Sequence, residues 1–240
     1  MESLQELKKN FSSGVSRQFL LWGDVGDYLP ASEDEKYITL RQFLLNWLKG
    51  LVDIIIFYDI ASAMKFPIPG HEKKFRELTG FTKRKPPEID KKALKAMSPK
   101  AQQEFLEYVE GLKNAPEPPL PTEPNDVLSL VRALMENVFC HKTKPKVALI
   151  LPYAETLAPA GFGEYSLGDR INTVNLRYLA ASDNLSDGSI TILITKNIVD
   201  SHASLRGRGS RLITVEIPLP QKEERLQFTE NLLKNTDFKT

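Results

Sequence analysis

The chain has thirteen glycines, and none of them is followed by a lysine. Many enzymes that hydrolyse nucleotides hold the triphosphate in a glycine-rich loop that ends in a lysine and a hydroxyl residue. Because the Gly-Lys dipeptide is missing, the sequence excludes a phosphate-binding loop of this kind.

The residues needed for metal and disulfide chemistry are scarce as well. A single cysteine, Cys140, rules out an internal disulfide framework and a zinc site built on cysteines. The three histidines, His71, His141 and His202, are scattered and lack the spacing of metal ligands. We therefore expect no metal site, and no pairing of a serine or cysteine nucleophile with histidine can be argued.

Long apolar runs and an excess of one charge are also absent. The longest nearly unbroken apolar run lies around Ile54–Tyr58, far short of the roughly 20 residues of a membrane-spanning helix. Residues 1–10 lack the apolar core of a secretion signal. The net charge of +1 creates no overall field that attracts nucleic acid or membranes. We expect a cytoplasmic protein that binds no membrane.

Five short apolar runs predict buried β-strands. Three of the runs are continuous rather than alternating, which is typical of strands covered on both faces in a parallel sheet. The predicted strands are Gln18–Trp22, Val52–Tyr58, Lys146–Leu151, Ser189–Thr195 and Arg211–Ile217.

Amphipathic helices are predicted between these strands. Apolar residues recur at helical spacing in residues 40–48 and 127–139, before the second and third strands. A further helix has Asp169 as its expected N-cap, and a last helix is predicted to begin near Gln221. The helix that follows Asp169 has its apolar positions at Ile171, Val174, Tyr178 and Leu179. The last helix is predicted to point Leu226, Leu232 and Leu233 inward.

The alternation of strands and helices predicts one three-layer α/β domain over residues 1–240, with a mostly parallel five-stranded sheet. Residues 61–124 interrupt this rhythm because they are rich in lysine and proline. Ser98 and Pro99 are expected to open a helix there, and residues 115–124 hold five of the sixteen prolines. We interpret the region as an insertion between the second and third strands.

The loop after the first predicted strand is the first candidate site. It contains Gly23, Asp24 and Gly26, and lies where an α/β sheet of this type would hold phosphate. Asp24 and Asp27 would repel a triphosphate, because each like charge at contact distance costs on the order of 1 kcal/mol. The loop is therefore either a degenerate phosphate-binding position or a simple acidic turn.

The ends of the third and fourth predicted strands give two more candidate residues. Nucleotide hydrolases place a magnesium-binding aspartate at the end of the third strand, and here that position is Pro152. Glu155 follows nearby as a lone acid, and it is either catalytic or part of a turn. After the fourth strand, Thr195 or Asn197 could orient an attacking water, or could simply end the strand.

Two basic segments complete the candidates. Arg206, Arg208 and Arg211 lie between the fourth and fifth predicted strands, where they form either an inter-subunit contact or a solvated cluster. A salt-bridged rim or an RNA contact is a further alternative for these arginines. The lysine-rich stretch 83–95 is either a solvated helix face or a surface for nucleic acid or an acidic protein.

The order of these features resembles an AAA+ ATPase domain of the P-loop type. The most specific part is the final run, in which Arg211 is followed by a short strand, Pro218 and a helix opened by Glu224 and Arg225. The resemblance covers the chain apart from the insertion, and is greatest to a degenerate amino-terminal module of bacterial AAA+ proteins.

By this resemblance, Asn197 matches the family's sensor residue, Glu155 lies near its Walker B acid, and Arg206 or Arg211 near its arginine finger. Both Walker motifs are degenerate, so the resemblance implies a non-catalytic scaffold, regulatory or assembly module that binds no cofactor. Its partner would be an active AAA+ module in the same or another chain, in an oligomer with an unknown client. The chain stops at Thr240, where the family's helical lid begins, which suggests a fragment of a longer protein or a module without a complete lid.

Two other functions remain open. The first is an active enzyme that binds ATP with magnesium and hydrolyses it at an atypical site formed by Asp24, Asp27 and Glu155. The second is an accessory protein that binds nucleic acid through residues 83–95 and 206–211, with an affinity that falls steeply with salt.

Overall fold

The protein folds around a six-stranded sheet that is parallel except at one edge. The structure is a computed structural model that describes residues 2–30, 37–83, 87, 94, 97–161, 166–185, 187–207 and 210–235. The strands are β1 Gln18–Gly23, β2 Tyr28–Pro30, β3 Tyr37–Thr39, β4 Ile54–Asp59, β5 Ala63–Lys65, β6 Val147–Pro152, β7 Ile190–Ile194 and β8 Ile213–Ile217.

The order across the sheet is β5-β4-β6-β7-β1-β8, and β2 and β3 form a separate antiparallel pair. The five predicted parallel strands are confirmed. The predicted strand number was wrong by one, because β5 turns back from β4 and adds an antiparallel edge strand. The first residue of β5, Ala63, lies in the left-handed region, at φ +54°. A strand of three residues carries too short a pattern to be predicted.

Helices cover both faces of the sheet and give the predicted three layers. They are α1 Glu2–Ser12, α2 Leu40–Leu48, α3 His71–Thr79, α4 Pro99–Asn114, α5 Pro124–Met135, α6 Leu167–Ala181, α7 Ala203–Arg206 and α8 Lys222–Asn235. One apolar core lies between the sheet and α3, α5, α6 and α7, and a second lies between the sheet and α1 and α2. No helix in the described part of the chain is long and apolar enough to cross a membrane.

Strand β4 shows why the apolar runs are continuous. Ile54 and Ile56 face the first core, whereas Ile55 and Phe57 face the second, and all four are buried. Successive residues of a strand point to opposite faces, so a strand with a core on each side must be apolar at every position.

The beginning of the region 61–124 is joined to the main core. Phe75 of α3 is fully buried in the first core and lies 5.3 Å from the ring of Phe66. The hydroxyl of Tyr58 donates a hydrogen bond of 2.9 Å to the carbonyl of Thr122, so the end of the region is also attached to β4. The single-domain organisation remains a prediction, and these contacts indicate how unfolding can test it.

Helix α6 is present, but its orientation differs from that of an ordinary amphipathic helix. Of its predicted apolar positions, Leu179 is buried as expected, whereas Ile171, Val174 and Tyr178 are 39%, 49% and 54% exposed. Asn172 and Asn175 are buried as well. The reason is a polar contact between helices, in which Arg132 of α5 donates a hydrogen bond of 3.0 Å to the Asn175 side chain. The N-cap is Ser166 rather than Asp169, which instead completes a capping box three residues later.

Helix α8 begins near the predicted position but does not bury its leucines. Leu226 and Leu233 are 54% and 60% exposed, so their predicted inward orientation was wrong, and the side chain of Leu232 lies outside the described ones. The aromatic ring of Phe228 makes the helix's ring contacts, with Tyr28 and Tyr37. Phe228 therefore attaches the final helix to the β2–β3 pair.

Candidate functional site

The candidate site lies at the edge of the sheet where the parallel strands end. Gly23 at the end of β1 is paired with Ile217 of β8, and Pro152 at the end of β6 is paired with Ile194 of β7. The residues predicted to follow the first, third and fourth strands are thus brought to one edge.

The backbone of the loop after β1 is already occupied by bonds within the chain. The Gly23 N–H donates to the carbonyl of Lys196 at 3.0 Å, and the Asp24 N–H donates to the carbonyl of Ile217 at 2.9 Å. The next N–H, of Val25, donates back to Gly23 at 2.9 Å. A phosphate-binding loop needs such N–H groups directed at the ligand. Three consecutive donors of this loop point to carbonyl groups instead.

Gly23 is required here by packing. Its φ is +99°, and a Cβ atom added to it would lie 2.5 Å from the carbonyl oxygen of Ile217. Gly26 in the same loop has open space around it. The first glycine therefore allows β1 and β8 to end side by side, a role that the sequence alone did not separate from phosphate binding.

The described chain continues from this loop into strand β2 instead of a helix. In a P-loop or Rossmann site the phosphate sits on the N-terminus of the helix that follows the first strand, whose peptide dipoles attract anions. At the end of β1, therefore, the first three N–H groups of the loop are bonded within the chain, and the described residues that follow form a strand rather than a helix.

A cavity of about 330 Å³ opens beside the loop. Four acidic side chains, one arginine and three aromatic rings are among the groups that line it, so its charge is mainly negative. The aromatic rings pack on each other, with Phe228 4.6 Å from Tyr37 and 5.8 Å from Tyr28. Sequence reasoning placed Asp24 and Asp27 at the site and named Glu224 and Arg225 only as the start of the last helix. It missed the remaining members, because these groups converge from opposite ends of the chain. These groups are Glu2, Asp24, Asp27, Tyr28, Tyr37, Glu224, Arg225 and Phe228.

The two aspartates of the loop disfavour additional negative charge. Burial raises the pKa of Asp24, and the charge and hydrogen bond of Asp27 raise it further, while the ammonium of Lys196 acts in the opposite direction. One carboxylate oxygen of Asp24 is buried without a hydrogen-bond partner in the described structure. The ionised carboxylate of Asp24, next to Asp27, therefore repels phosphate.

Replacement of Asp24 by asparagine is expected to stabilise the fold at neutral pH by on the order of 1 kcal/mol, the cost of a like charge at close range. The pKa of Asp24 in the folded protein lies above the unfolded value of 3.8, so the fold favours the protonated carboxyl. Its contribution to the free energy of unfolding is fully present below pH 3.8 and is lost as the pH rises through the folded pKa. Urea unfolding at several pH values measures this, with the exposed Glu110→Gln as control. Equal or lower stability of Asp24→Asn at pH 7 would contradict the interpretation.

The end of β6 offers no aspartate for a metal ion. Pro152 closes the strand, and Tyr153 follows in the left-handed region with φ +56° and 64% exposure. Glu155 lies in a short 3₁₀ turn, and one of its carboxylate oxygens is buried without a hydrogen-bond partner in the described structure. Within the described residues, no group of three or more His, Cys, Asp or Glu side chains is placed to hold a metal ion.

The candidate residues after β7 are engaged with their own segment. The side-chain amide of Asn197 donates to Asp200 at 3.0 Å, and the Thr195 hydroxyl donates to the Asn197 carbonyl at 3.2 Å. Thr195 is 2% exposed, whereas Asn197 is on the surface. These bonds form a turn after the strand, which is the simpler of the two sequence interpretations.

The arginines between β7 and β8 also bind within the chain. Arg206 donates to the carbonyl of Ser201 at 3.0 Å, and Arg211 forms an ion pair of 2.9 Å with Asp183. Arg208 lies outside the described residues, as does most of the lysine-rich stretch 83–95. The ion pair between Arg211 and Asp183 was not predicted, because the two residues are distant in the sequence and contact each other only in the folded chain.

These features define a class of protein: a three-layer α/β module of Rossmann-like topology. At its carboxyl edge, the first three N–H groups of the loop after β1 are bonded within the chain, and the strand-end position of β6 holds Pro152. The AAA+ chaperone N-terminal Rossmann-like domain family matches residues 4–218 of the chain. The chain therefore belongs to this family.

Comparison with solved structures finds similarity to a chain in the structure of an E. coli MS115-1 HORMA:CdnC:Trip13 complex. The two chains share 14% sequence identity with a TM-score of 0.37, and the similarity covers 48% of this chain and 38% of the other. No curated protein matches the sequence.

Proposed function

We propose that this chain is a non-catalytic AAA+-like module that serves as a scaffold, regulatory or assembly domain of an ATP-driven remodelling machine. Its partner is an active AAA+ module in the same or another chain, and its place of action is the cytoplasm. Membership of the AAA+ chaperone N-terminal family supports the link to such a machine.

The observation that carries the proposal is the bonding of the loop after β1. The N–H groups of Gly23, Asp24 and Val25 donate to carbonyl groups, and four of the five charged side chains that line the neighbouring cavity are acidic. Phosphoryl transfer depends on positioning and on neutralising the charge of the phosphates. A loop whose first three N–H groups are occupied, and which carries two acids of its own, supports neither requirement well.

The strand-end position that binds magnesium in nucleotide hydrolases carries no carboxylate in this chain. Magnesium in nucleotide sites is held by one or two carboxylates together with the substrate phosphates. The strand-end position holds Pro152, and Glu155 provides one carboxylate from the turn beyond it. We therefore assign no hydrolytic step to this chain and propose that it works without ATP or magnesium.

One observation favours a second candidate function, hydrolysis of ATP at an atypical site. Glu155 keeps a buried carboxylate oxygen without a partner in the described structure, and Asp24 does the same. Such orphaned acids are found at catalytic sites as well as in structural turns. No comparable observation supports nucleic-acid binding, because Arg206 and Arg211 bind within the chain.

A phosphate-release assay distinguishes the two functions. The purified chain with ATP and magnesium is expected to release phosphate at the background rate, and Glu155→Gln is expected to leave that rate unchanged. The exposed Glu110→Gln is the matched control for removing one carboxylate. Turnover that is lost in Glu155→Gln and kept in Glu110→Gln would contradict the proposal and establish the atypical enzyme.

A further inference from the structure

Residues 115–124, here called the proline segment, connect α4 to α5. Each of residues 115–121 is either a proline or directly precedes one. A proline ring fixes φ at about −65°, and a residue before proline is pushed into extended conformations. The sequence therefore dictates a polyproline II helix in this segment.

The backbone angles agree with this expectation. Ala115 has φ −59° and ψ 138°, and Glu123 has φ −69° and ψ 136°. A polyproline II helix has φ of about −75° and ψ of about +145°. Residues 116–122, between these two, form neither helix nor strand. The proline segment is thus extended at both ends and has no regular hydrogen-bonded structure between them.

Burial along the proline segment repeats every three residues, which is the period of a polyproline II helix. One row, here called the open edge, is exposed throughout and consists of Pro116, Pro119 and Thr122. Another row is half-buried throughout and consists of Pro118, Pro121 and Pro124. One side of the segment therefore faces the body of the protein, and the open edge faces solvent.

Three contacts hold the proline segment on the main body. Arg76 of α3 donates a hydrogen bond of 2.8 Å to the carbonyl of Pro118. The Tyr58 hydroxyl donates one of 2.9 Å to the carbonyl of Thr122. Leu120, between these two anchors, packs on the first core. Because the segment is already ordered, the open edge is preorganised and loses little conformational entropy when a partner binds.

The surroundings of the open edge are acidic. Glu117 and Glu123 are exposed on the row that adjoins it. Glu117 lies 3.5 Å from Nε of Arg76, yet its side chain remains 52% exposed. Residues 99–126 contain six acidic residues and two basic ones, which are Glu104, Glu107, Glu110, Glu117, Glu123 and Asp126 against Lys100 and Lys113.

We propose that the open edge is a docking site for a protein domain that has an aromatic groove with a basic rim. Aromatic-lined grooves bind polyproline II segments of the pattern Pro-x-x-Pro. Pro116 and Pro119 have this spacing and lie about 9 Å apart along the helix. Lysine or arginine at the rim of the groove would pair with Glu117 and Glu123.

Titration of the 240-residue chain into purified, fluorescently labelled SH3, WW and EVH1 domains tests this inference. Domains with lysine or arginine at the groove rim are expected to bind saturably, with a Kd below about 100 µM, and more tightly than domains with an acidic rim. A free proline-rich peptide shows that each domain is active. The inference goes beyond the proposed function, because this readout does not depend on whether the chain binds or hydrolyses ATP.

Two double variants separate the open edge from the stiffness of the segment. Pro116→Ala with Pro119→Ala removes the open edge and is expected to weaken binding at least about tenfold. Pro118→Ala with Pro121→Ala removes the same number of prolines from the half-buried row, and is expected to change the Kd less than about threefold. Thermal melts establish that both variants are folded before the titrations are compared.

A third variant tests the charge of the partner. Glu117→Gln with Glu123→Gln is expected to weaken binding about three- to tenfold at low salt, and the difference is expected to vanish at about 0.5 M salt. Glu223→Gln with Glu230→Gln removes the same charge from exposed positions of α8 and is expected to leave the Kd unchanged.

Four results would overturn the proposal. The first is that no domain binds the chain although all of them bind the free peptide. The second is an equal loss of binding in the Pro118 and Pro121 variant. The third is an unchanged Kd at low salt in the Glu117 and Glu123 variant. The fourth is self-association of the chain that is lost in the Pro116 and Pro119 variant, because the open edge would then bind a second copy.

Discussion

Replacing Phe75 by alanine is expected to lower the free energy of unfolding by about 3–5 kcal/mol, the usual cost of deleting a buried phenylalanine ring. Phe75 is fully buried between α3 and the sheet, in the same core as Tyr58 and Leu149. If residues 61–124 are an insertion within one domain, the substitution shifts a single unfolding transition of the whole chain. Urea unfolding followed by far-UV circular dichroism and by tryptophan fluorescence measures both quantities.

The matched control is Phe139→Ala, because Phe139 is 36% exposed and its removal is expected to cost less than about 1 kcal/mol. Two separate transitions, with the Phe75 substitution shifting only one of them, would show that the region folds independently. That outcome would contradict the single-domain organisation.

Gly23→Ala is expected to destabilise the protein by about 2–4 kcal/mol, because two costs add at this position. Alanine rarely adopts a φ of +99°, and its Cβ would be 2.5 Å from the carbonyl oxygen of Ile217. To relieve the contact, the ends of β1 and β8 would have to separate. The change in denaturation midpoint at constant slope measures the effect.

Gly26→Ala provides the comparison within the same loop. Gly26 has no neighbouring atoms within 4 Å of an added Cβ, so its substitution is expected to be nearly neutral. If both substitutions were neutral, Gly23 would not be needed for the packing of β1 on β8. The structural role assigned to this glycine would then be wrong.

Much of the fold could be predicted because strands buried on both faces have a strong signal. The ends of all five predicted strands lie within two residues of their positions in the structure, as in Val52–Tyr58 for β4 and Arg211–Ile217 for β8. The orientation of α6 could not be predicted. Periodicity shows which residues share a side of a helix, but it does not show that Asn175 is buried beside Leu176 and Leu179 through its bond to Arg132.

The candidate site was predictable only in part. The sequence analysis placed Gly23, Asp24, Pro152 and Glu155 at the ends of predicted strands. Because parallel strands end at the same edge of a sheet, these residues were expected at one edge. The sequence did not show that β8 lies beside β1, since strand order is set by long-range packing. For this reason the bonds from the loop to Lys196 and Ile217, which occupy its N–H groups, became visible only in the structure.

The proposal that this chain binds no nucleotide is tested most directly by isothermal titration calorimetry of ATP and ADP with magnesium into the 240-residue chain. A protein with an intact glycine-lysine loop, titrated under the same conditions, provides the positive control. We expect no saturable heat at nucleotide concentrations up to the millimolar range. A Kd of about 1 mM corresponds to a binding free energy of about −4 kcal/mol, which this titration would detect. Saturable one-to-one binding that requires magnesium and is lost in Glu155→Gln would contradict the account.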